Sequence, residues 1–182
     1  MIGLFIGSFN PPTKAHLDIC QILKFRFKKI VLVPVNSNNK KLISLRDRIN
    51  MLNILSRKNK YLEVSNIMQD YSFLNYRIID LLKKKYHDIN IIMGSDLLDK
   101  LDTFDNYKYL LSNYSFTILT RDRDVKKIIN DKYSDYINKF KILDYNSSIS
   151  STMVREYLSN KKEPKNILDK DVLDYIKKNN LY

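Results

Sequence analysis

Glycine is scarce in this chain of 182 residues: there are three, where a usage of roughly 7% would give about 13. All three (Gly3, Gly7 and Gly94) lie in or at the end of apolar runs. Gly7 and Gly94 therefore read as places where a larger side chain is not accommodated. Two physical reasons are open: a positive φ, or close approach of a ligand to the backbone. Cysteine is scarcer still. Cys20 stands alone, which excludes an internal disulfide and agrees with a reducing compartment. It lies one helical turn from His16; two residues are too few for a metal site, so Cys20 reads as packing. The other histidine, His87, reads as exposed at a helix end. No stretch of about 20 apolar residues exists, so no membrane span is expected. Residues 1–7 are apolar but short and lack the basic region of a signal peptide, which makes the cytoplasm the expected location. Internal repeats, Gly/Ser linkers and low-complexity tails are missing too. One domain over 1–182 is expected, with a C-terminal helical part at 146–182.

What is present is a chain with 44% hydrophobic residues and a net charge of +12. The hydrophobic fraction suits a globular protein with a real core. The basic charge is compatible with nucleic acid, an anionic membrane or anionic metabolites. The lysines, however, are spread over the whole chain. That pattern reads as a solvated basic surface rather than a nucleic-acid footprint, and neither nucleic acid nor membrane is an expected partner.

Apolar, β-branched runs alternate with longer amphipathic ones. Strands are predicted at 2–6, 30–35, 61–65, 89–93, 115–120 and 140–143. Helices are predicted at 13–26, 45–56, 73–86, 97–101 with 107–111, 125–130, 151–158 and 172–178. The strands are continuously apolar, which implies burial on both faces and hence a mostly parallel sheet. The alternation gives a doubly wound α/β fold, whose ligands bind at the carboxyl edge of the strands. Four distinctive segments fall at that edge: 7–16, 36–41, 94–96 and 146–155.

The first is Gly7-Ser8-Phe9-Asn10-Pro11-Pro12-Thr13-Lys14-Ala15-His16. Pro11-Pro12 stiffens the approach to a helix, and Thr13 can serve as its N-cap. His16 then falls in the first turn, where free backbone N–H groups and the helix dipole favour an anion. A histidine there can donate to a phosphate oxygen without a permanent charge. Neither Gly-x4-Gly-Lys-Ser/Thr nor Gly-x-Gly-x-x-Gly occurs, which disfavours kinases and dinucleotide-cofactor enzymes. The last segment is Ile149-Ser150-Ser151-Thr152-Met153-Val154-Arg155. Three hydroxyls precede an arginine at a helix start. The hydroxyls and N–H groups can cradle phosphate oxygens, and Arg155 can clamp two of them.

Gly-Ser-Phe-Asn-Pro-x-Thr-x-x-His resembles the (His/Thr)-x-x-His signature of the nucleotidyltransferase superfamily. Within it the segment is similar to the nicotinamide/nicotinate mononucleotide adenylyltransferases. Thr13 stands where bacterial members usually carry His, and Ala15 replaces the usual Gly or Met. Ile149 to Arg155 resembles their Ile-Ser-Ser-Thr-x-x-Arg motif, which contacts ATP phosphates. The resemblance implies a Rossmann-like nucleotidyltransferase fold and transfer of AMP from ATP to a pyridine mononucleotide. It implies His16 and Arg155 as catalytic residues. It places Gly7, Ser8, Phe9, Thr13, Lys40, Gly94, Asp96, Arg121, Ser150, Ser151 and Thr152 around ATP. Ser8, Phe9 and Asn10 would face the mononucleotide. Phe104 and Tyr107 stand where the family has Trp residues, of which this chain has none, and offer ring faces for stacking. Arg48 lies in a helix where the family also carries an Arg; a solvated helix face explains it as well. Mg²⁺ is implied by ATP, held mostly through phosphates and water, with no protein metal ligand assigned. A homo-oligomer is allowed. Another superfamily member, such as a phosphopantetheine adenylyltransferase, and a basic nucleic-acid-binding module are the alternatives. A class I aminoacyl-tRNA synthetase fragment fits less, because the chain is short for one and has no Lys-Met-Ser-Lys-Ser-like loop.

Overall fold

The computed structural model describes residues 1–36, 42–120 and 124–182. Six strands form one sheet: β1 (Ile2–Gly7), β2 (Lys29–Pro34), β3 (Leu62–Val64), β4 (Ile89–Gly94), β5 (Ser115–Thr120) and β6 (Phe140–Asp144). Their order is β3-β2-β1-β4-β5-β6, and every neighbouring pair is parallel. All six runs foreseen in the sequence are strands. Residues on β1 alternate between two buried clusters. Leu4 and Ile6 join Val31, Val33, Ile91 and Ile118 on one face. Phe5 joins Ile30, Leu32, Ile92 and Leu119 on the other. A period of two with both faces covered reads in sequence as an unbroken apolar run.

The helices are α1 (Lys14–Leu23), α2 (Leu45–Lys58), α3 (Tyr76–Tyr86), α4 (Ser95–Leu98), α5 (Tyr107–Asn113), α6 (Val125–Tyr133), α7 (Ser151–Ser159) and α8 (Lys170–Lys178). The chief departures from the expected boundaries are local. The segment expected as a helix at 73–86 starts only at Tyr76, because the Asn75 side chain accepts the Ile78 N–H at 3.2 Å and caps it there. The stretch 97–101 is split: α4 ends at Leu98, and a 3₁₀ turn covers Leu101–Thr103. Further 3₁₀ turns at Ile67–Gln69 and Ser134–Lys139 carried no sequence signal. A third apolar cluster, beside the sheet, joins α2, α7 and α8 through Met51, Leu55, Val154, Val172 and Ile176.

No glycine has a positive φ. Of the two reasons open for glycine, that one fails here. Gly94 has φ −76° and caps α4; a Cβ there would lie 2.6 Å from Asp96 Oδ1. At Gly7 a Cβ would stand 3.1 Å from the Phe9 ring. Both glycines make room for the protein's own side chains. The left-handed residue in the first loop is Phe9 itself, with φ 47°. That conformation is strained for a bulky residue. Its buried ring is held by an edge contact to Phe5 at 5.4 Å between centroids.

The strand order reverses between β1 and β4, so the crevice at a doubly wound sheet's switch point opens beside Gly7 and Gly94.

Candidate active site

A cavity of roughly 720 Å³ lies at this crevice. Its wall holds Gly7, Ser8, Phe9, Asn10 and His16 from the first loop and α1. Gly94, Asp96 and Phe104 come from the β4 side, and Ser150, Ser151, Thr152 and Arg155 from the start of α7. Two segments more than 130 residues apart thus meet across one space: the Ser151 hydroxyl donates to the Pro11 carbonyl over a separation of 140 residues. Thr13 is buried behind the wall as the α1 N-cap. Tyr107 packs against the main core and is not among the lining residues. Lys40, Lys41 and Arg121 lie outside the described residues.

His16 is the third residue of α1, where a side chain can reach back to the cap. The Thr13 backbone N–H donates to His16 Nδ1 at 3.0 Å, and the Thr13 hydroxyl stands 2.8 Å from the same nitrogen. A backbone N–H can only donate, so Nδ1 is the acceptor and the neutral ring carries its proton on Nε2. The ring packs on Phe9 at 5.2 Å and near Phe5 at 6.1 Å between centroids. The helix start is less open than expected. The Lys14 N–H is taken by the Ile167 carbonyl at 3.0 Å, and the Thr13 N–H by His16. The N–H groups of Thr13 and Lys14 are thus already paired, and His16 lies on the cavity wall beside them.

At α7, Ser150 is the N-cap and accepts the Met153 N–H at 3.1 Å. Arg155 Nη1 donates to the Asn10 carbonyl at 2.8 Å, and Nη2 to the Thr152 hydroxyl at 3.0 Å. The guanidinium therefore ties α7 to the first loop at the cavity wall. Asp96 is exposed on the wall in the first turn of α4.

Arg48 overturns the solvated-face reading. It is wholly buried (0% exposed). Its Nη1 donates to the carbonyls of Ser8 and Val35, both at 2.8 Å, and its Nε to that of Ile43 at 3.2 Å. Its Nη2 donates to Asn36 Oδ1 at 2.5 Å. One guanidinium so joins α2 to the loops after β1 and β2. Burial lowers its pKa from the usual guanidine value, and the Tyr182 side chain works against that. Sequence reasoning also missed Phe73 and Leu74 on the wall. Phe73 was placed in a helix; it precedes the Asn75 cap and is half exposed. Val35, Leu42 and Leu97 add to the apolar lining, and Asn36 stands among them.

Cys20 is buried in the core as packing predicts, and burial pushes its thiol far up. His87 is exposed at the end of α3. Among the described residues no group of three or more His, Cys, Asp or Glu side chains is placed to hold a metal. No helix among them is long and apolar enough to cross a membrane.

Residues 4–157 match the cytidylyltransferase-like family. A probable nicotinate-nucleotide adenylyltransferase of Acholeplasma laidlawii is 33% identical, over 100% of this chain and 97% of its own. One of Flavobacterium psychrophilum is 31% identical, over 100% and 98%. The fold is similar to that of a Plasmodium falciparum nicotinic acid mononucleotide adenylyltransferase complexed with NaAD. There the TM-score is 0.81 at 21% identity, covering 100% of this chain and 96% of that one. The chain belongs to the cytidylyltransferase-like family and, within it, to the nicotinate-nucleotide adenylyltransferases.

Proposed function

We propose that this protein transfers AMP from ATP to nicotinate mononucleotide, releasing pyrophosphate and forming the dinucleotide precursor of NAD. The observation that carries the reading is the meeting of His16 with Ser151, Thr152 and Arg155 on one cavity wall. The relatives named above supply the choice of substrate.

A phosphate oxygen of the mononucleotide attacks the α-phosphorus of ATP. A new P–O bond forms, the bond to the β-phosphate bridge breaks, and pyrophosphate leaves with the electron pair. The attacking phosphate is already anionic at neutral pH, so no general base is required. The work left to the protein is alignment and stabilisation of charge. His16 Nε2–H would donate to an α-phosphate oxygen. The start of α7, with Ser151, Thr152 and Arg155, would hold the departing phosphates. Phe104 and Phe73 offer ring faces at the apolar side for the pyridine. Mg²⁺ would arrive with the ATP phosphates and neutralise part of their charge; Asp96 is the one carboxylate on the described wall.

His16→Ala tests the arrangement. It should lower kcat roughly 100- to 1,000-fold, as loss of one preorganised donor does, while circular dichroism stays near wild type and the melting temperature falls only modestly, from the lost contact to the Thr13 cap. Turnover within about threefold of wild type would remove His16 from the reacting centre.

A further inference from the structure

The Asn10 side chain is held from two distant parts of the chain. Its Oδ1 accepts from the Ile43 backbone N–H at 3.3 Å and from the Tyr182 hydroxyl at 2.7 Å. Because a backbone N–H only donates, the amide atom facing it is the oxygen, and Tyr182 must be the donor. The opposite end, Nδ2, is buried with no hydrogen-bond partner among the described residues. An unpaired buried donor is unfavourable. The two donors on Oδ1 are what keep the amide this way round.

The Asn10 backbone belongs to the same hub. Its carbonyl takes Arg155 Nη1, and the next carbonyl, of Pro11, takes the Ser151 hydroxyl. The segment that brings Tyr182 touches the loop's far end as well, through the Ile167 carbonyl on the Lys14 N–H. It rests on a firm base. Val172 and Ile176 of α8 pack against Met51 and Leu55 of α2. The Tyr175 hydroxyl donates to Asp47 at 2.8 Å and accepts from Asn50 at 2.9 Å. Leu181 and Tyr182 lie against the same cluster.

We infer that Tyr182 is a positioning residue for adenylyl transfer: its hydroxyl fixes Asn10, and through Asn10 the loop that joins Arg155 to His16. The inference rests on the reaction proposed above. Tyr182 acts at a distance, since its partner is Asn10 rather than substrate. Burial raises the phenol pKa, against the pull of Arg155 and Arg48, so the hydroxyl stays a donor through the neutral range.

Tyr182→Phe and Tyr175→Phe, each in the full chain, separate positioning from support. Tyr175 holds α8 on α2 without touching the loop. Tyr182→Phe should lower kcat about 3- to 10-fold while KM for ATP stays within about twofold, the scale of one hydrogen bond felt in the transition state. Tyr175→Phe should lower the melting temperature and leave kcat unchanged. The Asn10 side-chain amide resonances give a readout independent of turnover: they should move in Tyr182→Phe and stay in Tyr175→Phe. Unmoved Asn10 resonances, an unchanged kcat in Tyr182→Phe, or an equal fall of kcat in both variants overturns the positioning role. A wild-type chain that makes no dinucleotide overturns the reaction instead, and the amide resonances then decide the role of Tyr182 by themselves.

Discussion

Among the described residues Arg48 bonds to four oxygens, none of them a carboxylate. A buried charge without its donors matched is costly, so these contacts define the residue's task. Removing the guanidinium leaves the carbonyls of Ser8, Val35 and Ile43 and the Asn36 amide without it. Arg48→Met should cost on the order of 3–5 kcal/mol in urea unfolding. Arg48→Lys should recover little, because an ammonium cannot span the two loops as the fork does. A loss under about 1 kcal/mol in Arg48→Met would show that the loops hold themselves. The placement of His16 was legible in the sequence because it is local: a cap three residues earlier and a helix start. Arg48 was not, because between Asp47 and Ile49 it has the look of any polar helix position. Its acceptors come from segments the sequence does not place beside it. Tyr182 was further from view, since its partner Asn10 lies 172 residues away.

Elements were more legible than residues. The six β-branched runs could be read because two covered faces demand continuous apolarity. Boundaries slipped where a single side chain sets them, as at Asn75. The positive-φ reading of glycine failed because no glycine has a positive φ; Gly7 and Gly94 instead leave space for Phe9 and Asp96, which only the folded loop reveals. Between elements, carboxylates act as clamps. Glu63 on β3 accepts from Tyr86 at the end of α3 at 2.5 Å and pairs with Lys29 on β2 at 2.9 Å. Asp169, the α8 cap, pairs with Lys58 on α2 at 2.7 Å. Burial alone would raise both carboxyl groups. The hydrogen bonds and lysines facing them outweigh it and hold each below its usual value. A depressed folded pKa means stability that is present above the unfolded value and lost as pH falls through the folded one. The melting temperature should therefore fall as pH drops below about 4. Glu63→Gln should flatten part of that fall. An identical acid profile in Glu63→Gln would place the sensitive carboxylates elsewhere.

At the scale of the whole molecule, the candidate site comes from convergence. One sheet edge collects the first loop, the β4 terminus and the start of α7 around a single cavity. The doubly wound parallel fold was legible from the alternation of runs, and so was the sheet edge at which the cavity opens; the order of the strands was not. The place of Phe73 and Leu74 on the wall was not legible either, since it depends on where α3 begins. The net charge of +12 is spread over the chain; on the described wall its share is Arg155, with Asp96 on the same wall. The most direct test is a pair of steady-state rates, with ATP and either nicotinate or nicotinamide mononucleotide, read as dinucleotide formed and pyrophosphate released. The account predicts equal amounts of both products and a higher kcat/KM for nicotinate mononucleotide. Absence of dinucleotide from both substrates, with the chain folded and ATP present, would contradict it.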